Sequence, residues 1–190
     1  LRLRLLDRAG ELLSAEGAKA LSLRRLAADV DTSTTAVYSL FGSKPDLVSA
    51  LYVEGFRRLQ ARMAAVERTG DAVEDLVRLG LAYRESALAD PHLHSIMFSR
   101  AVPGFEPNEE VARLARATLR PLIETARAGV VAGALRDETP ETIAVSTWGA
   151  AHGLVSLELN GHLPPEFGAA DAYGTALRAH AAGWRRPPPA

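Results

Sequence analysis

The sequence predicts an all-α protein, and three observations carry that prediction. Strand signals are missing: there is no β-branched alternating run and no Asn-Gly hairpin turn. Ala, Leu, Arg and Glu, which favour helix, dominate. Turn-forming residues recur at Gly17-Ala18, Asp31-Thr32, Gly42-Ser43, Thr69-Gly70, Asp90-Pro91, Pro103 to Pro107, Thr139-Pro140 and Gly161 to Gly168. They cut the chain into about nine helical segments.

The first segment, 1–16, repeats Leu5, Leu6, Ala9, Leu12 and Leu13 at helical spacing. Ser22 opens the second, with Leu23, Leu26, Ala27 and Val30 on one face; a serine there caps the helix by accepting a backbone N–H. The fourth runs from Ser43 to about Glu67 and repeats Leu47, Leu51, Gly55, Leu59, Met63 and Val66. After Trp184 an Arg-Arg-Pro-Pro-Pro tail cannot continue a helix.

The third segment is the most informative. With Thr34 at 0° and about 100° per residue, Tyr38 falls at about 40°, Thr35 at about 100° and Ser39 at about 140°. Ala36, Val37, Leu40 and Phe41 fall between about 200° and 340°. The hydroxyls and the apolar side chains therefore separate onto two sides, with Ser33 as the expected N-cap. The apolar half would pack on Leu23, Leu26, Ala27 and Val30. Two short helices joined by a tight turn, the second with a bare polar face, form a helix-turn-helix. Such a second helix fits the major groove, and Thr and Ser meet several base edges and phosphates there. In the following Gly42-Ser43-Lys44-Pro45-Asp46, Ser43 and Asp46 have capping-box spacing and Pro45 sits in the first turn. The free N–H groups of that helix start, beside Lys44, suit a phosphate. A face of hydroxyls is often only solvated surface; the joint pattern of split helix, tight pair and capped Lys44 favours DNA.

Composition agrees without deciding. The 190 residues suit one or two domains, and a 47% hydrophobic fraction suits a buried core. No cysteine is present, which removes disulfides and thiolate metal sites. No apolar run approaches the ~20 residues of a membrane span, and secretion is not suggested. The net charge is -1. Residues 1–68 hold 11 Lys+Arg against 8 Asp+Glu, and residues 69–190 hold 11 against 15. A mildly basic N-terminal third joined to an acidic remainder permits a nucleic-acid module. The chain begins at Leu1 rather than a methionine, which leaves room for a preceding basic arm.

The run Leu21-Ser22-Leu23-Arg24-Arg25-Leu26-Ala27, followed by Thr32-Ser33-Thr34-Thr35-Ala36-Val37-Tyr38-Ser39-Leu40-Phe41-Gly42-Ser43-Lys44, resembles the DNA-binding domain of TetR-type transcriptional regulators. Asp31 stands where that family usually has Gly, Thr32 replaces a usual Val, Leu40 a usual aromatic and Gly42 a frequent Pro. Asp tolerates left-handed geometry, so the turn is expected to survive. Trp148-Gly-Ala-Ala-His152-Gly153 resembles the Trp-x-x-x-His-Gly element of a TetR C-terminal subfamily.

The resemblance implies a helix-turn-helix DNA-binding domain over residues 1–47 and a helical effector-binding and dimerisation domain over 48–190. It implies a cytoplasmic homodimer on a palindromic operator, more a repressor than an activator, released by a small and largely apolar effector. Ser22, Arg24, Tyr38 and Lys44 would hold phosphates; Thr34, Thr35 and Ser39 would approach bases, with Ser33 capping. The effector pocket would draw on Phe56, Leu59, Met63, Tyr83, Met97, Phe98, Phe105, Leu122 and Trp148, with residues 102–107 as a loop at its mouth. The dimer seam would draw on Val145, Trp148, Gly149, His152, Gly153, Val155, Leu159 and Leu177. No cofactor and no metal are expected: His92 and His94, two apart on a helix, point about 200° from one another. Enzymatic use of His152 is not expected, since no nucleophile motif accompanies it. The rival reading is a helical interaction or scaffolding protein without sequence-specific DNA binding.

Overall fold

The computed structural model describes residues 1–99, 102, 104–164, 166 and 168–188. Among these the chain forms ten helices: α1 (Arg2–Glu16), α2 (Leu23–Asp29), α3 (Thr34–Phe41), α4 (Lys44–Ala64), α5 (Ala72–Ala89), α6 (Pro91–Phe98), α7 (Glu109–Thr118), α8 (Arg120–Val131), α9 (Pro140–Leu159) and α10 (Ala169–Gly183). No strand occurs among the described residues; one isolated antiparallel bridge pairs Leu135 with Arg185. The all-α expectation holds. Segment 108–139 contains two helices because Pro121, in the first turn of α8, has no N–H to continue the ladder from α7. Pro103 of the 102–107 loop, Pro165 and Phe167 of the 161–168 break, and Pro189 of the tail lie outside the described residues.

The chain divides into two compact units, Leu1–Arg58 with Asp90–Ala115, and Leu59–Ala89 with Arg116–Ala190. In the first, the periodic residues of α1 (Leu5, Leu6, Ala9, Leu12, Leu13) share one core with Leu23, Leu26 and Ala27 of α2, Val37 and Phe41 of α3, Leu47, Leu51 and Phe56 of α4, and Leu93 and Ile96 of α6. Gly55 allows α6 to close on α4: a Cβ there would lie 2.6 Å from Met97 Sδ. In the second unit α5 packs against α8, α9 and α10, and α9 against α8 and α10. Its centre holds Leu76, Val77, Ala126, Ile143, Ala144, Val155 and Leu177. The buried Tyr173 hydroxyl sits between the carbonyls of Gly80 (2.9 Å) and Ala151 (3.2 Å), tying α10 to α5 and α9.

Candidate functional site

The α2–α3 connection is a tight, fully bonded turn. α2 ends in a Schellman motif: Thr32 N–H donates to Ala27 O (2.9 Å) and Asp31 N–H to Ala28 O (3.2 Å). Asp31 occupies the left-handed position at φ 54°, where glycine is usual. Ser33 then caps α3 by accepting from Ala36 N–H at 3.1 Å. Ser22 caps α2 in the same way, accepting from Arg25 N–H at 3.5 Å.

On α3, Val37 and Phe41 are buried, while Thr35, Tyr38 and Ser39 are exposed and Thr34 is half-buried. Tyr38 is 53% exposed. One residue departs from the wheel. Leu40, grouped with the buried side chains, is 40% exposed. The buried arc centres between Val37 and Phe41, and Leu40 lies about 80° from that centre. The exposed face of α3 therefore carries an aliphatic side chain beside its hydroxyls, which a uniformly buried apolar half does not anticipate.

Basic residues flank α3 in the chain, Arg24 and Arg25 before it and Lys44 after it. Arg24 is exposed. Arg25, one residue on, is instead held by both oxygens of Glu16 at 2.7 Å. Lys44 Nζ donates to Ala18 O at 2.7 Å, which fixes the ammonium at the start of α4 and leaves its other N–H groups for a second partner. Ser43 Oγ accepts from Asp46 N–H at 3.3 Å and donates to Asp46 Oδ2 at 2.5 Å. Only half of a capping box forms, because the Ser43 N–H is taken by Phe41 O at 2.9 Å.

Five expected pocket residues, Leu59, Met63, Tyr83, Leu122 and Trp148, line one cleft of the second unit, with Leu79, Gly80, Thr118, Leu119, Thr147 and Ala151. Among the described residues no charged side chain lines it. The cleft is nearly closed: the space open to water centres is ≈ 10 Å³, on the order of one water. The other four do not line this cleft. Phe56 is in the core of the first unit, edge-on to Phe98 at 6.1 Å. Phe105 stacks on Tyr52 at 4.8 Å, and Met97 packs on the same core. Helical spacing marked these residues as buried without saying which core buries them.

A polar relay crosses the cleft wall. Trp148 hydrogen-bonds to Tyr83, and the Tyr83 hydroxyl lies 2.8 Å from His152 Nδ1. Indole N–H only donates, so Tyr83 accepts from Trp148. His152 Nε2 lies 3.4 Å from Ser156 Oγ, so both ring nitrogens face hydroxyl groups. Burial holds the His152 pKa below its ordinary value and pushes the Tyr83 phenol up, so both are neutral at neutral pH. A second, more polar cavity of ≈ 310 Å³ is lined by Gln60, Met63, Ala64, Val66, Glu67, Arg68, Asp75, Leu79, Ala117, Arg120, Pro121, Glu124 and Thr125.

Of the expected dimer residues, Val145 is 51% exposed, and Gly149 and Gly153 are exposed with open space where a Cβ would stand. Trp148, His152 and Leu159 are half-buried. Val155 (0%) and Leu177 (1%) are buried in the core of their own unit.

A helix-turn-helix followed by a wholly helical C-terminal part is an architecture of DNA-binding transcriptional regulators. Residues 5–51 match the family described as bacterial regulatory proteins, tetR family, and residues 76–180 match the one described as tetracyclin repressor-like, C-terminal domain. The chain belongs to this TetR family of regulators. It is similar to the HTH-type transcriptional regulator Rv1816 of Mycobacterium tuberculosis, with 26% identity over 127 residues, 63% of this chain and 53% of that protein. The chain thus spans about half the length of the curated relatives it matches. Among solved structures, a protein of unknown function from Rhodococcus sp. RHA1 is 26% identical with a TM-score of 0.79, covering 96% of this chain and 94% of that one. The TetR family transcriptional regulator PfmR from Thermus thermophilus shares the fold at 22% identity and a TM-score of 0.69, covering 92% and 97%.

Proposed function

We propose that the chain acts as a homodimeric transcriptional repressor, with residues 1–47 binding DNA and 48–190 binding an effector and the second subunit. The observation that carries this reading is the exposed face of α3, where Thr35, Tyr38 and Ser39 stand clear of a helix pair closed by the Asp31 turn and the Ser33 cap. Thr34, Thr35 and Ser39 approach base edges. Ser22, Arg24, Tyr38 and Lys44 engage phosphates, Lys44 through the N–H groups that its bond to Ala18 O leaves over. Ser33 shapes the backbone that presents them.

The uncharged cleft supports a small, largely apolar effector. Open space over Gly149 and Gly153, beside the exposed Val145, supports close packing of α9 against a second copy. Effector binding favours a dimer whose recognition helices no longer match half-sites about 34–36 Å apart. Selection from a random duplex library tests the reading. A palindromic consensus is expected, with Thr35→Ala relaxing preference within each half-site; recovery of unrelated sequences by the folded protein rejects it.

A further inference from the structure

The cleft beside Tyr83 and the polar cavity of the same unit share two wall residues, Met63 and Leu79. The inner space is closed to all but about one water, whereas the outer one holds ≈ 310 Å³. Both shared side chains are buried. Met63 is unbranched and turns about three bonds, so it can be displaced at low cost. With the pair turned aside the two spaces join, reaching the ~300–1,000 Å³ range of small-molecule sites.

The linings restrict what can enter. Among the described residues no charged side chain meets the inner cleft, so an ion there would be desolvated without a partner. In the outer cavity Glu124 already holds Arg68 at 3.3 Å and Arg120 at 2.9 Å. Asp75 is occupied by the N–H and hydroxyl of Thr69, both at 2.7 Å. Glu124 thus pairs with both arginines, and Asp75 Oδ1 takes both Thr69 bonds within the protein. At the inner end the Trp148–Tyr83–His152 relay is the main polar feature, neutral throughout and able to exchange one of its bonds for a ligand's.

We infer that Met63 and Leu79 form a gate, and that the outer cavity passes through it an uncharged molecule with an apolar body and one hydrogen-bonding group, a hydroxyl or carbonyl, which docks on the Tyr83 relay. The inference rests on reading this cleft as the effector site. It specifies the ligand's charge, its polar anchor and its route.

The test uses the full chain and the uncharged fluorophore N-phenyl-1-naphthylamine, displaced by 1-decanol, decanoate or decyltrimethylammonium. Decanol should displace the probe at a concentration lower by about tenfold than either ion, since each ion would enter an unpartnered site. Tyr83→Phe should weaken decanol by about three- to tenfold, one hydrogen bond, while its circular dichroism spectrum matches the parent's and shows that the variant is folded. Met63→Ala should speed probe association about threefold or more, as expected of a gate that limits entry. Absence of probe binding, equal displacement by an ion, an unchanged decanol affinity in Tyr83→Phe, or an unchanged association rate in Met63→Ala each overturns the inference. DNA binding is measured separately. Decanol that binds as expected without altering DNA affinity removes the effector reading and leaves the gated site standing; a charged compound that enters the cleft and releases DNA does the reverse.

Discussion

Arg58 Nη1 donates to Asp90 Oδ1 at 2.6 Å, joining α4 to the N-cap residue of α6. Asp90 makes no side-chain cap, because its carboxylate serves the guanidinium. The same guanidinium reaches Glu54 and Asp7, both at 2.8 Å, so three carboxylates on three parts of the first unit converge on one residue. Burial opposes the charge on Arg58, but the bonds to Glu54, Asp90 and Asp7 outweigh it and hold the guanidinium above its ordinary pKa.

Replacing Arg58 leaves Glu54 and Asp90, both mostly buried, facing one another without a cation. Arg58→Met keeps the apolar stem and is expected to lower stability by about 1–2 kcal/mol, a value reduced for the part of the cluster open to solvent. Urea unfolding measures it. A loss below about 0.5 kcal/mol would show that the cluster behaves as an ordinary surface ion pair.

Asp31 carries left-handed backbone at φ 54° in a turn whose hydrogen bonds are already complete. Asp31→Gly relieves that conformation and is expected to stabilise the protein by about 0.5–1 kcal/mol; Asp31→Val is expected to destabilise it by more. The thermal midpoints of the two variants should move in opposite directions. A drop for the glycine variant would mean that the Asp31 side chain makes a contribution larger than the backbone strain.

His152 and His180 both have pKa values lowered by burial. His180 Nε2 accepts from Trp184 Nε1 at 3.3 Å, a bond that needs the neutral ring, and His152 Nδ1 lies 2.8 Å from the buried Tyr83 hydroxyl. A depressed folded-state pKa means that the unfolded chain binds protons first. Stability is therefore full above the unfolded value of about 6.5 and falls as pH drops through the folded values. The urea midpoint should decline from pH 7.5 to 5, and His152→Gln should flatten that decline. An unchanged slope in the variant would show that His152 is not one of the groups responsible.

Gly149 and Gly153 lie in mid-α9 with nothing within 4 Å of a built Cβ. Within one subunit a larger residue is harmless, and Ala should even favour the helix by about 0.5–1 kcal/mol per site. Gly149→Leu is expected to weaken dimerisation about tenfold or more while each subunit stays folded, because the close approach between helices is lost. Sedimentation at several concentrations reads this directly. An undisturbed dimer would place its seam on another face.

The helix-turn-helix was legible because its signals are local. Ser22 and Ser33 cap their own helices, Asp31 turns its own backbone, and Leu5, Leu6, Ala9, Leu12 and Leu13 repeat along one stripe that is buried throughout. Less was legible where a residue's surroundings depend on distant chain. Leu40 lies just outside an arc set by what covers Val37 and Phe41. Phe56, Met97, Phe98 and Phe105 are apolar like Leu59 and Met63, yet belong to another core. Val155 and Leu177 are buried on helices that also carry exposed Gly153 and Arg178. Periodicity identifies a buried face; only the packing identifies its partner.

The central claim is that the α3 face and Lys44 bind DNA in a sequence-dependent way. The most direct measurement is fluorescence anisotropy of the full chain on its selected duplex and on a scrambled duplex, each over a range of salt. A clear preference for the selected palindrome and an affinity that falls steeply with salt are expected. Lys44→Ala should reduce the salt slope by about one, and Tyr38→Phe should weaken binding with little change in sequence preference. Equal affinity for both duplexes, or Lys44→Ala and Tyr38→Phe variants that bind as well as the parent chain, would contradict it.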